Sequence, residues 1–293
     1  MSIGLPPNPA VYLLLVSLPL LVLSETQSFL PGHALFKIVS SIAFVSGPLL
    51  HISSNPSPYR VFVTCGLLFS VLGDILLIPS RNEYYYHPDS SPAGEARASS
   101  GLKSNNPVNK PGTQQGGIST SFQLGIVAFA AAHIAYILAF LQDSSEEDLS
   151  WPTFAIIFVA TMVIGKWLGV IYPAMATPNG SPVAWRRSNV LSLSIPQDMQ
   201  LLVFVYAIII SSMLATAVST TSTLRHQRVL GAAMFVVSDI FVAKDAFGQK
   251  SVPPKTSTGQ KVPKERNWWL QTATGFGLYF WGQMILAGTV ETN

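Results

Sequence analysis

The sequence predicts an all-α, polytopic membrane protein with eight transmembrane helices in a single domain over residues 1–293. Three observations predict it. Only 11% of the residues are charged, where a soluble domain carries about 25%. The mean hydropathy is +0.40. Finally, the apolar residues gather into runs near the length of about 20 that a helix needs to cross the hydrocarbon. The runs are continuous rather than alternating, so membrane β-strands are excluded. The composition also excludes a disordered chain and a disulfide-framed secreted domain.

The expected spans are 9–25, 33–53, 58–79, 121–141, 151–172, 199–220, 228–248 and 267–289. The first is the shortest. Pro19 interrupts its run and Glu25 closes it. It lacks the basic n-region and small-residue cleavage site of a secretory leader, so a retained helix is expected. Proline and glycine inside several spans are compatible with membrane helices. The stretch 80–120 is rich in Ser, Pro, Asn and Gly without periodicity and reads as a disordered insertion. Residues 249–266 form a Lys- and Pro-rich link, and Asp143, Glu146, Glu147 and Asp148 form a short acidic one.

Charge sorts by link. The odd-numbered links between helices hold Arg81, Arg97, Lys103, Lys110, Arg186, Arg187, Lys250, Lys255, Lys261, Lys264 and Arg266, and the even ones only Arg60, Arg225 and Arg228. The positive-inside rule then puts the odd links and the insertion in the cytosol, with both termini on the other side. A pI near 9.0 is explained by these loops, and no aromatic-basic groove pattern suggests nucleic acid. The single cysteine, Cys65, has no partner for a disulfide or a thiolate metal site. Trp268 and Trp269 read as an interfacial belt.

Ionisable residues inside spans carry the functional signal, because each costs about 2.5–3.5 kcal/mol at a helix centre and needs a partner. Asp74 stands in GLLFSVLGDILLI, Asp239 in GAAMFVVSDIFVA and His133 in GIVAFAAAHIAYI. At a rise of 1.5 Å per residue, Asp74 lies about 8 Å and Asp239 about 13 Å from the cytosolic helix ends. His133 falls near the midplane. Tyr206, Tyr279 and Gln283 enter from the same side, and Lys37, Lys166 and Lys244 lie near cytosolic ends. The polar groups thus sort to mid-depth or the cytosolic half.

The chain also repeats itself. When Asp74 is aligned with Asp239, Gly66 meets Gly231, Val71 meets Val236 and Ile75 meets Ile240. When Gly125 is aligned with Gly275, Phe129 meets Tyr279 and His133 meets Gln283. Matched helices are four apart and run the same way, which predicts two parallel four-helix halves about an axis along the membrane normal. Such an axis brings the two aspartates to similar depth, facing each other. Two carboxyls sharing an apolar site do not both ionise easily. One holds a proton to donate, and the other stays anionic and stabilises positive charge or activates water.

The ordered set GLLFSVLGDILL, GIVAFAAAHIAYILAF, YAIIISSMLATA, GAAMFVVSDIFVAKDAF and YFWGQMILA on eight helices resembles the YhhN-type lysoplasmalogenase family. The likeness is strongest around Asp74, His133, Asp239 and Gln283 and absent from 80–120. It implies a membrane hydrolase that cleaves the vinyl-ether bond of lysoplasmalogens, releasing a fatty aldehyde and glycerophosphocholine or glycerophosphoethanolamine. Asp74 and Asp239 are then the acid and the counter-ion, and His133 orients water or carries a proton. Tyr206, Tyr279 and Gln283 hydrogen-bond in the site, and Lys37 and Lys244 hold the phosphate. The expected partners are a lysophospholipid and the bilayer. No metal or cofactor is required. The family suggests the endoplasmic reticulum. The same Asp pair in parallel halves also fits a proton-coupled transporter or lipid carrier, and a third reading is a non-catalytic membrane scaffold.

Overall fold

The computed structural model describes residues 3–54, 56–79, 119–143, 149–173, 188–248 and 268–292. The expected disordered insertion at 80–120, except its last two residues, lies outside the described residues, as do the link 249–266 and three of the four acidic residues after the fourth helix.

Among the described residues eight helices follow in order: α1 (Asn8–Thr26), α2 (Leu30–Ser54), α3 (Pro58–Leu76), α4 (Thr120–Gln142), α5 (Trp151–Leu168), α6 (Gln197–Ser219), α7 (Arg225–Phe247) and α8 (Trp268–Thr292). Among the described residues there are no strands, only isolated bridges such as Leu193 with Gly248. The helix starts are chemically marked. Ser57 and Ser119 accept from backbone N–H groups in the first turns of α3 and α4, which satisfies an otherwise orphaned donor. At the other end of α5, Gly169 takes φ +91° to close the helix, a conformation that costs glycine nothing. Helix α1 runs unbroken through Pro19 and α2 through Pro48.

The first six helices are long and apolar enough to cross a membrane. The last two differ for a physical reason. Helix α7 carries Arg225, Arg228, Asp239, Lys244 and Asp245. Helix α8 faces protein rather than lipid: it packs on α1, α2, α3 and α7, and nearly every residue from Tyr279 to Val290 is buried. A helix surrounded by helices needs no greasy surface. Helix α5 is the opposite case. It buries no residue and packs chiefly against α6, leaving Ile156, Val159 and Val163 exposed as a lipid-facing surface does.

Packing follows the expected four-helix repeat. In the first half, α1 packs on α2, α2 on α3 and α3 on α4; in the second, α5 on α6, α6 on α7 and α7 on α8. The halves join through α4 with α6 and, equivalently, α8 with α2. The equivalence extends to side chains. A Cβ on Gly66 would run into the Tyr136 ring, and one on Gly231 into Leu286. The offset that matches Gly125 with Gly275 also matches Tyr136 with Leu286. In both halves the glycine lets its neighbour's large side chain lie against backbone.

One end of the bundle is stapled by polar contacts. Arg228 was expected in an even-numbered link, but α7 starts at Arg225 and so Arg228 lies a turn inside the helix, fully buried. It pairs with Asp143, donates from Nε to the Tyr59 hydroxyl at 3.3 Å and stacks over the Tyr59 and Phe140 rings at 4.6 and 5.5 Å. Tyr59 in turn donates to Thr289 at 2.6 Å. Nearby, Gln227 Nε2 donates to the carbonyls of Gly4 and Ile285 at 2.7 and 2.8 Å. Helices α3, α4, α7 and α8 are thereby tied together at the end away from the aspartates.

Two glycines test the packing. Gly66→Ala is expected to destabilise the protein by about 1–3 kcal/mol, since the added methyl overpacks against a buried ring. Gly277→Ala meets nothing within 4 Å and is expected to be neutral or stabilising by up to about 1 kcal/mol through helix propensity. Thermal unfolding in detergent measures both.

Candidate functional site

The cavity that holds the aspartates occupies the other end of the bundle, on the side of the odd-numbered links. It has a volume of about 630 Å³, and both Asp74 and Asp239 line it. It reaches from Ser28, Pro79 and Phe247 at helix ends inward to Ile210 and Tyr279. Apolar residues such as Phe129, Leu168, Ile240 and Phe276 form much of the wall. The size is that of a small-molecule or lipid-tail pocket, about 300–1,000 Å³. Every helix contributes, including the peripheral α5 through Thr161, Ile164 and Gly165.

Asp74 sits near the end of α3 and is buried. Tyr279 of α8 donates to its Oδ2 at 2.7 Å. Ser41 of α2 places its hydroxyl 2.7 Å from the same oxygen and 2.9 Å from the Lys37 carbonyl one turn back. The Lys37 ammonium lies 3.7 Å from Oδ1. A carboxylate surrounded by two hydroxyls and a cation is well solvated without water.

Asp239, two turns before the end of α7, has a different shell. Tyr206 of α6 donates to its Oδ2 at 2.5 Å. His133 of α4 places Nε2 2.9 Å from the Tyr206 oxygen and 3.9 Å from Asp239 Oδ2. The His133 ring is fully buried, held edge-on to Phe235 with centroids 4.5 Å apart.

The two shells are related by the repeat. Ser41 stands 33 residues before Asp74, and Tyr206 stands 33 residues before Asp239. The same helix pair and the same register therefore deliver a hydroxyl to each carboxyl, one short and one long. Sequence inspection for ionisable groups passes over Ser41; the repeat alignment is the signal that finds it.

The remaining candidates divide. Tyr206 and Tyr279 line the cavity and bond the aspartates. Lys37 also lines it, but its ammonium is directed at Asp74 rather than outward. Gln283 is buried and does not line the cavity: Tyr136 donates to its Oε1 at 2.7 Å, and its Nε2 donates to Ser70 at 2.9 Å. His133 stands behind Tyr206 and does not line the cavity, while Lys244 bonds Gln271 at 3.2 Å on the exposed rim. Glu25 and His33 are among the further polar residues of the lining, with Glu25 Oε2 2.8 Å from His33 Nδ1.

The arrangement defines a class: a multi-pass helical membrane protein built from two parallel halves, with one carboxyl from each half meeting an internal cavity. A model of the YhhN family matches residues 116–290, from the start of α4 to the end of α8, and the chain belongs to that family. The matched stretch holds His133, Tyr206, Asp239, Tyr279 and Gln283; Lys37, Ser41 and Asp74 precede it. No curated protein and no solved structure matches the chain.

The Lys37–Asp74 pair allows a direct test. Lys37→Met leaves a buried carboxylate without its cation and is expected to cost about 3–5 kcal/mol. Adding Asp74→Asn to that variant removes the stranded charge and is expected to recover most of the loss. A double-mutant cycle on unfolding in detergent measures the coupling.

Proposed function

We propose that the protein hydrolyses the vinyl-ether bond of lysoplasmalogens, with Asp74 and Asp239 supplying the acid and the anion. The observation that carries this reading is the meeting of two carboxyls from different halves at one cavity of about 630 Å³ with a largely apolar wall. The chemistry asks for that combination. An acid delivers a proton to the outer alkene carbon, leaving an oxocarbenium ion at the ether oxygen. A nearby carboxylate stabilises the cation, as in glycoside hydrolysis. Water adds to the cation and returns a proton to the site. The resulting hemiacetal breaks its carbon–oxygen bond, and its hydroxyl proton passes to the departing glycerol oxygen. A fatty aldehyde and a glycerophospho-alcohol leave.

The residues fit the parts of such a substrate. The apolar wall receives the alkenyl chain. Lys244, joined to Gln271 at the rim, is the cation placed for the phosphate, since Lys37 is engaged by Asp74. Membership of the YhhN family supports the same activity. With the odd-numbered links in the cytosol, the cavity faces the cytosolic leaflet, and the endoplasmic reticulum is the proposed membrane.

A second reading, a proton-coupled transporter or lipid carrier, draws on the parallel four-helix repeat. The stapled end around Arg228 and Asp143 favours the hydrolase, because a carrier must open on both sides.

Detergent-purified protein is expected to release aldehyde from an alkenyl lysophospholipid. Asp74→Asn and Asp239→Asn are each expected to lower the rate by about 10²–10⁴-fold, the usual contribution of acid–base groups, while eluting as folded protein. Mass spectrometry of the lipid fraction reads the outcome. Full turnover in both variants removes the proposal. Uptake of intact lysolipid into sealed vesicles, driven by a pH gradient and without cleavage, establishes the carrier instead.

A further inference from the structure

The two carboxyls are held by unlike shells, and the difference assigns their roles. Asp74 has a donor at every side: Tyr279 and Ser41 at Oδ2 and the Lys37 ammonium facing Oδ1. The two hydroxyls can also accept, but the ammonium facing Oδ1 can only donate, so that oxygen is held as an acceptor beside a cation. Asp239 accepts from Tyr206 alone. Its Oδ1 makes no hydrogen bond among the described residues, and its side chain keeps 21% of its surface exposed at the cavity.

The direction of the chain behind Asp239 follows from His133. The ring is wholly buried, and its Nδ1 has no hydrogen-bond partner among the described residues. An imidazolium needs an acceptor at both nitrogens, so the ring is neutral. A buried N–H left without an acceptor is the rarer and costlier case, so the single ring proton sits on Nε2 and points to the Tyr206 oxygen. Tyr206 has one proton, and with His133 donating to it, that proton goes to Asp239 Oδ2. The order His133 to Tyr206 to Asp239 makes Oδ2 an acceptor and leaves Oδ1 as the place for a proton. No Lys or Arg lies in ion-pair range of Asp239 among the described residues, and the chain ends at a neutral ring that does not reach the cavity.

Resting on the hydrolase reading, we infer that Asp239 is the protonated acid, its proton on Oδ1 toward the cavity, and that Asp74 is the carboxylate that faces the cation. His133 is then a positioning residue that acts through Tyr206, neither exchanging protons nor touching substrate. Lys37 and Ser41 position Asp74 in the same sense.

Infrared spectroscopy of the full-length protein in detergent at neutral pH tests this without any substrate. A protonated carboxyl has a carbonyl stretch that a carboxylate lacks, and the band shifts in heavy water. The band is expected in the wild type, retained in Asp74→Asn and lost in Asp239→Asn. Asp239→Glu keeps a carboxyl and is expected to keep a displaced band, which separates loss of the proton from loss of the fold. Tyr206→Phe removes the donor to Oδ2 and is expected to shift the band to higher frequency. His133→Ala is expected to shift it the same way by less, and His133→Gln, which restores an N–H donor, to return it. A band lost in Asp74→Asn rather than Asp239→Asn, or no band in the wild type, overturns the assignment. A band indifferent to Tyr206→Phe and His133→Ala overturns the positioning role. If the band follows Asp239 but no aldehyde forms, the proton assignment stands and the hydrolase reading falls.

Discussion

A carboxyl placed inside an apolar bundle has to find its hydrogen bonds in other helices, and the architecture is organised around meeting that need twice. Asp74 on α3 is served by α2 and α8. Asp239 on α7 is served by α6 and, behind it, α4. Neither residue is satisfied within its own helix. The cost of an unserved ionisable group in hydrocarbon, several kcal/mol, therefore makes the relative placement of six helices a condition of stability. The cavity lies where these two demands meet.

The internal repeat explains why the demands look alike, and the positions where its two halves differ explain why the answers differ. The same register brings Ser41 to Asp74 and Tyr206 to Asp239. Position 37 then supplies a cation in the first half, while the position of equal offset in the second is Leu202. Position 133 is histidine where its counterpart, 283, is glutamine. Gln283 serves Ser70 and Tyr136, whereas His133 serves Tyr206. Two halves of common pattern thus hold chemically unequal carboxyls, and acid–base chemistry requires such inequality.

Much of this was legible before any coordinates. Each of the eight apolar runs corresponds to a helix among the described residues, with ends displaced by a few residues, because span length is imposed by the hydrocarbon and not by tertiary detail. The repeat was visible in the glycines that now admit Tyr136 and Leu286. What the sequence did not disclose lies in contacts distant along the chain. Tyr279 reaches Asp74 across 205 positions, and only the crossing of α8 over α3 makes them neighbours. Lys37 read as a phosphate ligand because side-chain direction is invisible in a string. Ser41 had no signal of its own, since serine is common in membrane helices. Arg228 counts with a link because it stands at the very edge of its apolar run, whereas the helix begins three residues earlier.

That arginine has a mechanical consequence. Its ion pair, aromatic stack and tyrosine bond, with that tyrosine's own bond to Thr289, tie four helices together at one end, while the cavity lies at the opposite end. A sheaf bound at one end flexes at the other. If the helices part to admit a guest at the aspartate end, the guanidinium is the hinge they share.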